Sequence, residues 1–403
     1  MKNLQEAQLR HAQHYAETLA QADKLYIQGG EATARGVGLF DLEWQNIRIG
    51  QHWAMTNASS DKEAARLCNE YPDVGLYCLN IRVHSETWIL WLRAGLVAAR
   101  QLGDRISESN HLGNLGSAYL NLGDSHQAIQ HYKERLTLAR EIGDRRGELS
   151  TLGNLGVAQK NLGETHQAIE NYKRCLQIAN EIGEHRGQAA ALGNLGSAYL
   201  LLGEIRRAVE YYEQVLPITQ ALGDRRNEGS VLGNLGSAYL ALGNIPKAIE
   251  LNEQRLVIAR EICDNRGEGS ALSNLGRAYA ANGKVHDAFK YYRQALSIDQ
   301  ALGNKLEEGA NWSNLGSAYV DIGDLSQAIE CFNKRLDIAH SIDDRRGEAN
   351  GLWNKGLALA QLGKQAEALT CARSALQLFE QITDPMAETV RGQLKNWQGK
   401  TEK

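Results

Sequence analysis

The sequence predicts an all-α protein, a solenoid of stacked antiparallel helix pairs, on three observations. An asparagine recurs at a constant interval of forty residues over most of the 403-residue chain, which indicates copies of one unit that bury their apolar faces on each other. Apolar residues within each copy follow helical spacing. Only four prolines occur, and no strand-like alternation interrupts the pattern. The recurring residues are Asn114, Asn154, Asn194, Asn234, Asn274, Asn314 and Asn354.

The first copy shows how each unit divides into two helices. Apolar positions within 112–122 recur at helical spacing until Gly123, which predicts a first helix, helix A. A second apolar pattern over 128–142 ends at Gly143 and predicts helix B. A glycine two residues after every asparagine and an alanine early in every helix B predict close packing of the two helices. Glycine inside a helix otherwise costs about 1 kcal/mol relative to alanine.

Composition narrows the functional classes. The net charge of −4 and the absence of a polybasic run argue against nucleic acid or an anionic membrane as partner. Six scattered cysteines without a CxxC pair predict neither a zinc site nor disulfides. The N terminus is amphipathic and unlike a secretion signal, and the longest apolar stretch, around 88–99, is too short to span a bilayer. We therefore expect a cytoplasmic protein without cofactor or metal.

Four regions are predicted. Residues 1–63 form a divergent helical N-terminal cap, and 64–103 form a degenerate helix pair in which Val74 stands in place of the asparagine. Residues 104–383 hold the seven units. The last segment, 384–403, is either a capping helix or a polar tail.

At its cleanest the repeat resembles the tetratricopeptide repeat (TPR) family. The motif Leu-Gly-x-x-Tyr lies at 115–119 and Ala-x-x-x-Tyr at 128–132, and the match recurs in phase over 104–383. The resemblance implies a right-handed superhelix. The forty-residue period, longer than the family's common 34, is similar to that of Pins-type and kinesin-light-chain-type scaffolds and of the sensor arms of bacterial STAND signalling ATPases. Residues 10–23 and 41–54 are also similar to the linking helices of STAND ATPases, but no phosphate-binding loop follows Gly29-Gly30.

Catalytic patterns are not apparent in the sequence. It contains no nucleophile elbow, HExxH or paired-cysteine motif. His126, His166 and His286 share one repeat position, but whole repeats separate them, so we interpret them as exposed residues at helix starts. The sequence predicts a protein without enzymatic activity; a hydrolase site in the first 70 residues is a remote alternative.

The asparagines lie on a stripe of helix A opposite its apolar stripe, by the 100° step of a helix. The stripe has four positions in each of seven repeats, and its only charged residues are Arg277 and Asp321. In TPR proteins the matching stripe lines the concave channel and its asparagines hold the backbone of a bound peptide. The alternative is that each asparagine bridges neighbouring helices. The predicted peptide-binding residues on this stripe are the seven asparagines with Ser197, Ser237, Leu201, Arg277 and Asp321.

A basic pair at the start of helix A has two interpretations. It can form ion pairs between repeats, or one arginine of each pair can reach the channel and bind acidic side chains of a ligand, as the Pins-type resemblance implies. The candidates for ligand contact are Arg146, Arg186, Arg226, Arg266 and Arg346.

Together these features predict a non-enzymatic scaffold that binds a peptide segment of a partner protein, with acidic ligand side chains as one expectation. The alternative is the ligand-sensing TPR arm of a STAND-type signalling ATPase whose ATPase part is absent from this chain. The sequence does not predict the oligomeric state.

Overall fold

The computed structural model describes residues 2–401, and the side chains of residues 3–397. This part of the chain contains twenty α-helices and no strand. It divides into two compact units, Met1–Leu202 and Gly203–Lys403, each with its own packing.

Five helices precede the regular repeats. They are α1 (Lys2–Gln28), α2 (Glu31–Asn57), α3 (Lys62–Val74), α4 (Leu76–Arg82) and α5 (Ser85–Leu102). Helices α1 and α2 pack along each other, and α5 packs on α3. A row of stacked aromatic rings, Phe40, Trp44 and Trp91, with centroids 5.2 and 5.6 Å apart, fills this region. The position of a helix A in residues 64–103 is thus occupied by two short helices, α3 and α4, separated at Gly75.

Fourteen helices of the repeat region follow, and a final helix packs on the last of them. In the first unit they are the pairs α6 (Arg105–Asn121) with α7 (Ser125–Glu141) and α8 (Arg145–Asn161) with α9 (Thr165–Ile182), followed by α10 (His185–Leu201). The second unit begins with α11 (Ile205–Ala221) and continues with the pairs α12 (Arg225–Ala241) with α13 (Ile245–Glu261), α14 (Asn265–Ala281) with α15 (Val285–Leu302), α16 (Lys305–Asp321) with α17 (Leu325–Ser341) and α18 (Arg345–Gln361) with α19 (Gln365–Gln381), and with the final helix α20 (Met386–Thr401).

The Gly-Asp junctions of the repeat are helix boundaries. Gly123 and Gly143 have φ of 82° and 72°, the left-handed conformation that glycine adopts without steric cost after a helix. The next aspartate caps the following helix: Asp144 Oδ1 accepts a hydrogen bond from the backbone N–H of Gly147 at 2.8 Å. Sequence signals and local hydrogen bonds therefore fix the repeat boundaries without help from distant contacts.

Helix A packs on helix B through the glycine that follows each asparagine. A methyl group at Gly116 would clash with the ring of Tyr132, and the same holds for Gly156 with Tyr172 and for Gly276 with Tyr292. These tyrosine side chains are almost fully buried. The predicted close packing of the two helices is confirmed, and its physical reason is the space that an aromatic ring of helix B requires.

Within each unit the A helices lie on the inner side of the stack. Helices α6, α8 and α10 contact one another in succession, and so do α12, α14, α16 and α18. The B helices of successive repeats approach each other less closely. The exposed stripe of helix A in each unit consequently faces the inner side.

One repeat interface contains a buried carboxylate. Asp299 of α15, only 3% exposed, accepts a hydrogen bond at 2.9 Å from Asn311 Nδ2 of α16. Burial raises the pKa of Asp299 to about 6, and the nearby Glu307 and Glu308 add to this increase. In the preceding interface the equivalent residues are Ala259 and Ala271.

Replacement of Asp299 and Asn311 tests this interface. Asp299→Ala alone leaves the Asn311 amide buried without its partner, so we expect the double variant Asp299→Ala/Asn311→Ala to be more stable than the single one by about 1–3 kcal/mol. Because the folded pKa of Asp299 is raised, the native protein loses stability as the pH rises from about 4 to 6. The free energy of unfolding of the double variant relative to that of the native protein should therefore increase between pH 4.5 and pH 7 in urea unfolding. A constant difference across this range would contradict the assignment.

Candidate functional site

The asparagine stripe is accessible from the inner side of each unit. Asn234 is exposed, and the other six asparagines are half-buried. Within the described residues, the side chains of Asn114, Asn154, Asn194, Asn234, Asn274 and Asn314 make no hydrogen bond. Their carboxamides therefore keep both donor and acceptor groups available, which differs from the interpretation that each one bridges neighbouring helices.

The last repeat is different. Asn354 Nδ2 donates a hydrogen bond of 3.3 Å to Ser313 Oγ on the preceding helix A. This contact is of the kind that the alternative interpretation of the sequence predicts, in which an asparagine bridges neighbouring helices. At Asn354 the structure supports a local role.

The other predicted stripe residues vary in their availability. Leu201 is 65% exposed, a large apolar surface on the inner side of its unit. Arg277 and Asp321 are exposed on α14 and α16, and both act electrostatically on the Tyr292 hydroxyl. Ser197 Oγ already donates to the carbonyl of Gly193 at 3.0 Å, and Ser237 is half-buried.

The first basic residue belongs to an ion-pair network between helices in three of the repeats, at Arg105, Arg145 and Arg225, whereas Arg345 pairs with Asp343 in the adjacent turn. Arg145 pairs with Glu148 at 2.7 Å and with Glu181 of the following helix. Arg140, from the preceding helix B, also pairs with Glu148 at 2.7 Å. The same arrangement recurs around Glu108 and in part around Glu228. The network joins consecutive helices, as the structural interpretation of this column predicts.

The second basic residue is mostly unpaired. Arg146, Arg186, Arg226 and Arg266 are exposed, and no ion pair involves them in the described part of the chain. Arg346 departs from this pattern because its Nε lies 2.9 Å from Asp384 Oδ2, next to α20. Four of the five predicted arginines thus remain available to a ligand, whereas the fifth is engaged within the chain.

The sequence analysis did not identify a third set of arginines, on helix B. Arg135 and Arg255 are half-buried, lie against Gly113 and Gly233 of helix A, and have no carboxylate within ion-pairing distance among the described residues. Burial lowers the pKa of both guanidinium groups. Arg335, at the same repeat position, is paired with Asp344 at 2.5 Å. The sequence does contain an indication of this set: an arginine stands at a repeat position that is otherwise occupied by small or apolar residues, namely Cys175, Val215, Ala295 and Ala375.

Arg255 and Arg226 contribute to one small pocket. Ser230, Ile258 and Gly267 also line it, between α12, α13 and α14. Arg225 on its rim is held by Glu228 at 2.7 Å, and Asp264 caps α14 by accepting from the Gly267 N–H at 3.0 Å. Two guanidinium groups without an ion pair, those of Arg226 and Arg255, therefore lie close together here, and the Asp264 carboxylate is a negative charge nearby.

Two other kinds of functional feature, a metal site and a membrane-spanning helix, are absent from the described residues. Side chains of residues 3–397 form no cluster of three or more His, Cys, Asp or Glu that could hold a metal ion. None of the helices described combines the length and apolar character needed to cross a membrane. The histidines His126, His166 and His286 are exposed near the starts of their B helices.

The repeated pair of helices and the glycine–aromatic packing define a helical-repeat protein. The chain belongs to the tetratricopeptide repeat family, whose model matches residues 106–181, 147–221, 227–301, 267–341 and 307–381. Such repeats typically serve as protein-interaction scaffolds. No curated protein matches the chain.

Solved structures similar to the chain are also TPR proteins. A STAND protein with a tetratricopeptide repeat sensor from Pyrococcus horikoshii is 16% identical, with a TM-score of 0.58 over 95% of this chain and 65% of its own length. The apo quorum sensor NprR from B. thuringiensis is 13% identical, with a TM-score of 0.63 over 84% and 95%. BtubC (BKLC) from P. vanneervenii is 24% identical, with a TM-score of 0.50 over 55% and 93%. At these identities the similarity shows the fold alone.

Replacement of Arg335 and of Arg255 should have different effects on the free energy of unfolding. Arg335→Met leaves Asp344 without its partner, so we expect a loss of about 3 kcal/mol in the free energy of unfolding. Arg255→Met conserves volume and removes a desolvated charge that has no ion pair, so the change should stay below about 1.5 kcal/mol. Urea unfolding of both variants at pH 7 measures the difference. A larger loss for Arg255→Met than for Arg335→Met would show that Arg255 stabilises the fold.

Proposed function

We propose that this chain is a non-enzymatic scaffold that captures an extended peptide segment of a partner protein along the inner face of its A helices. The observation that carries this proposal is the run of six asparagine carboxamides, from Asn114 to Asn314, that are accessible and have no hydrogen-bonding partner among the described residues. An amide both donates and accepts, so a row of them matches successive peptide groups whatever the ligand's side chains are.

The small residues beside the asparagines support a close approach of the ligand backbone. Gly153 and Gly193 precede Asn154 and Asn194, and a side-chain carbon at Gly193 would meet nothing nearby, so the surface there is open. Backbone contacts of this kind give affinity without side-chain specificity. Leu201, Arg277 and Asp321 would then contribute to selectivity, because they are exposed on the same stripe.

Acidic ligand side chains are the second part of the proposal. Arg146, Arg186, Arg226 and Arg266 are exposed without ion pairs, and Arg255 adds a desolvated guanidinium beside Arg226. A planar guanidinium can bind a carboxylate through two parallel hydrogen bonds. Unpaired arginines near an asparagine row therefore favour a peptide that carries Asp or Glu. We also propose a cytoplasmic location, since all six cysteines are free thiols.

A sensor arm of a STAND-type ATPase is the second candidate. Its support is that the structural similarity to the STAND protein extends over 95% of this chain and so includes helices that precede the repeats. A gene for a nucleotide-binding module directly upstream, or a longer natural chain, would favour this candidate over a free-standing scaffold.

The asparagine row is tested with one double variant in each unit, Asn154→Ala/Asn194→Ala and Asn234→Ala/Asn274→Ala. The bound segment is first identified by recovery from the cytosol with the intact protein and mass spectrometry, then synthesised as a labelled peptide. We expect each double variant to bind this peptide more than about tenfold more weakly, a loss of more than about 1.4 kcal/mol. The melting temperature should change little, because these side chains make no hydrogen bond to any residue that the structure describes.

Matched controls are Asn180→Ala and Asn333→Ala, which remove exposed asparagines from B helices of the same two units. Both should bind the peptide normally. Native affinity combined with a much lower melting temperature in the double variants would mean that the asparagines are structural.

A further inference from the structure

One helix B departs from the others at two adjacent positions. Phe289 stands where the other repeats have Ile129, Ile169, Val209, Ile249, Ile329 and Leu369. Lys290 stands where they have Gln130, Glu170, Glu210, Glu250, Glu330 and Thr370. Residues that stacking requires recur from repeat to repeat. A simultaneous change in size and in charge at neighbouring positions therefore indicates a role other than stacking.

These two residues contribute to an open pocket between α15 and α16. Its lining consists of His286, Phe289, Lys290, Arg293, Gln294 and Tyr319. The rings of Phe289 and Tyr319 are 4.6 Å apart at 43°. The guanidinium carbon of Arg293 lies 6.0 Å from the Phe289 ring centroid, and its Nη2 lies 3.5 Å from the Tyr319 hydroxyl oxygen. Phe289 is only 8% exposed and forms the floor, whereas Lys290 and Arg293 are exposed at the rim.

The positive charge at this rim has no counterpart within the described residues. Neither Lys290 nor Arg293 has a carboxylate within ion-pairing distance. The neighbouring B helices carry acidic residues at the equivalent positions, namely Glu250 and Glu253 before the pocket and Glu330 after it. A small positive patch bounded by negative charge suits one or two carboxylates. It would repel a long polyanion such as nucleic acid.

The pocket lies on the opposite side of its repeat from the asparagine stripe. Ala288, Tyr292 and Ala295 of α15 are buried, and by the 100° step of a helix Lys290 and Arg293 lie about 100–160° away from them. The stripe of α14 that carries Asn274 likewise faces away from α15, because Gly276 packs on Tyr292. A ligand on the inner face would leave this pocket free.

We propose that this pocket is a second binding site, separate from the inner face, for a short acidic segment of a partner protein. Carboxylates of the segment pair with Lys290 and Arg293, and an aromatic or aliphatic side chain rests on the rings of Phe289 and Tyr319. Charge complementarity selects this occupant: two unpaired cations above an aromatic floor match a carboxylate next to an apolar side chain. The site extends the proposed scaffold from one ligand to two.

The repeats themselves supply variants that preserve the fold. Phe289→Ile/Lys290→Glu/Arg293→Glu gives this helix the residues of the preceding repeat, Ile249, Glu250 and Glu253. The reverse set, Ile249→Phe/Glu250→Lys/Glu253→Arg, builds the pocket one repeat earlier, where Tyr279 already occupies the position of Tyr319 and Gln254 that of Gln294. Circular dichroism of both variants should match that of the native chain.

The probe is a short fluorescein-labelled peptide in which Glu alternates with Phe, compared with the same peptide carrying Gln in place of Glu. By fluorescence anisotropy we expect the acidic peptide to bind the first variant at least about tenfold more weakly than the native chain, and the Gln peptide to bind neither tightly. Titration calorimetry of the reverse variant should show one additional site. Equal affinity of the native chain and the first variant for the acidic peptide would overturn the proposal, as would equal affinity of the native chain for the two peptides.

Other occupants are tested with the same variants. If single-stranded oligo-dT binds the native chain and is lost in the first variant, or if sedimentation velocity shows a dimer that the first variant abolishes, the pocket serves nucleic acid or a second copy instead, and the proposal fails. Asn234→Ala/Asn274→Ala should retain native affinity at this pocket, so a failure of the asparagine row and a failure of this site are distinguishable.

Discussion

The close packing of helix B on a helix-A glycine is the contact on which the repeat depends; in four repeats the group that fills this space is an aromatic ring, and at Gly236 it is the Asn252 amide. Tyr132, Tyr172 and Tyr292 bury their rings against Gly116, Gly156 and Gly276, and any side chain at the glycine would push the helices apart. Burial of a ring removes a large apolar surface from water, which offsets the cost of glycine inside a helix. The position two residues earlier points away from this contact. The asparagine is therefore outside the glycine contact at a fixed place in each repeat.

A second set of contacts holds successive helices together by charge. Glu148 receives Arg140 from one helix and Arg145 from its own helix, and Arg145 continues to Glu181. Most of these side chains are well exposed, so each pair contributes little by itself. The arginine that forms these ion pairs is the first of a basic pair, as Arg145 is in the pair Arg145-Arg146. The second arginine is left available on the surface.

Departures from the repeat differ in how strongly they indicate a site. Two successive repeat interfaces have different residues at the same two positions, Ala259 with Ala271 in one and Asp299 with Asn311 in the next. A change at one repeat position therefore does not by itself indicate a functional site. The combination of Phe289 and Lys290 is more informative because size and charge change together beside an open pocket. Arg135 and Arg255 are informative for a different reason, since a half-buried guanidinium without an ion pair carries a desolvation cost that the small side chains Cys175, Val215, Ala295 and Ala375 of the same column do not.

The sequence by itself determined the helix pairs, their boundaries and the stripe on which the asparagines lie. Apolar spacing, capping aspartates such as Asp144 and left-handed glycines such as Gly143 act within a few residues, and helix geometry then fixes which positions share a face. Only the tertiary structure decided which polar side chains are already engaged. Asn354 bonds to a serine forty-one residues earlier, and Arg346 pairs with Asp384. The same residue types at equivalent positions, such as Asn274 and Arg266, lack those partners because the neighbouring repeat does not supply them.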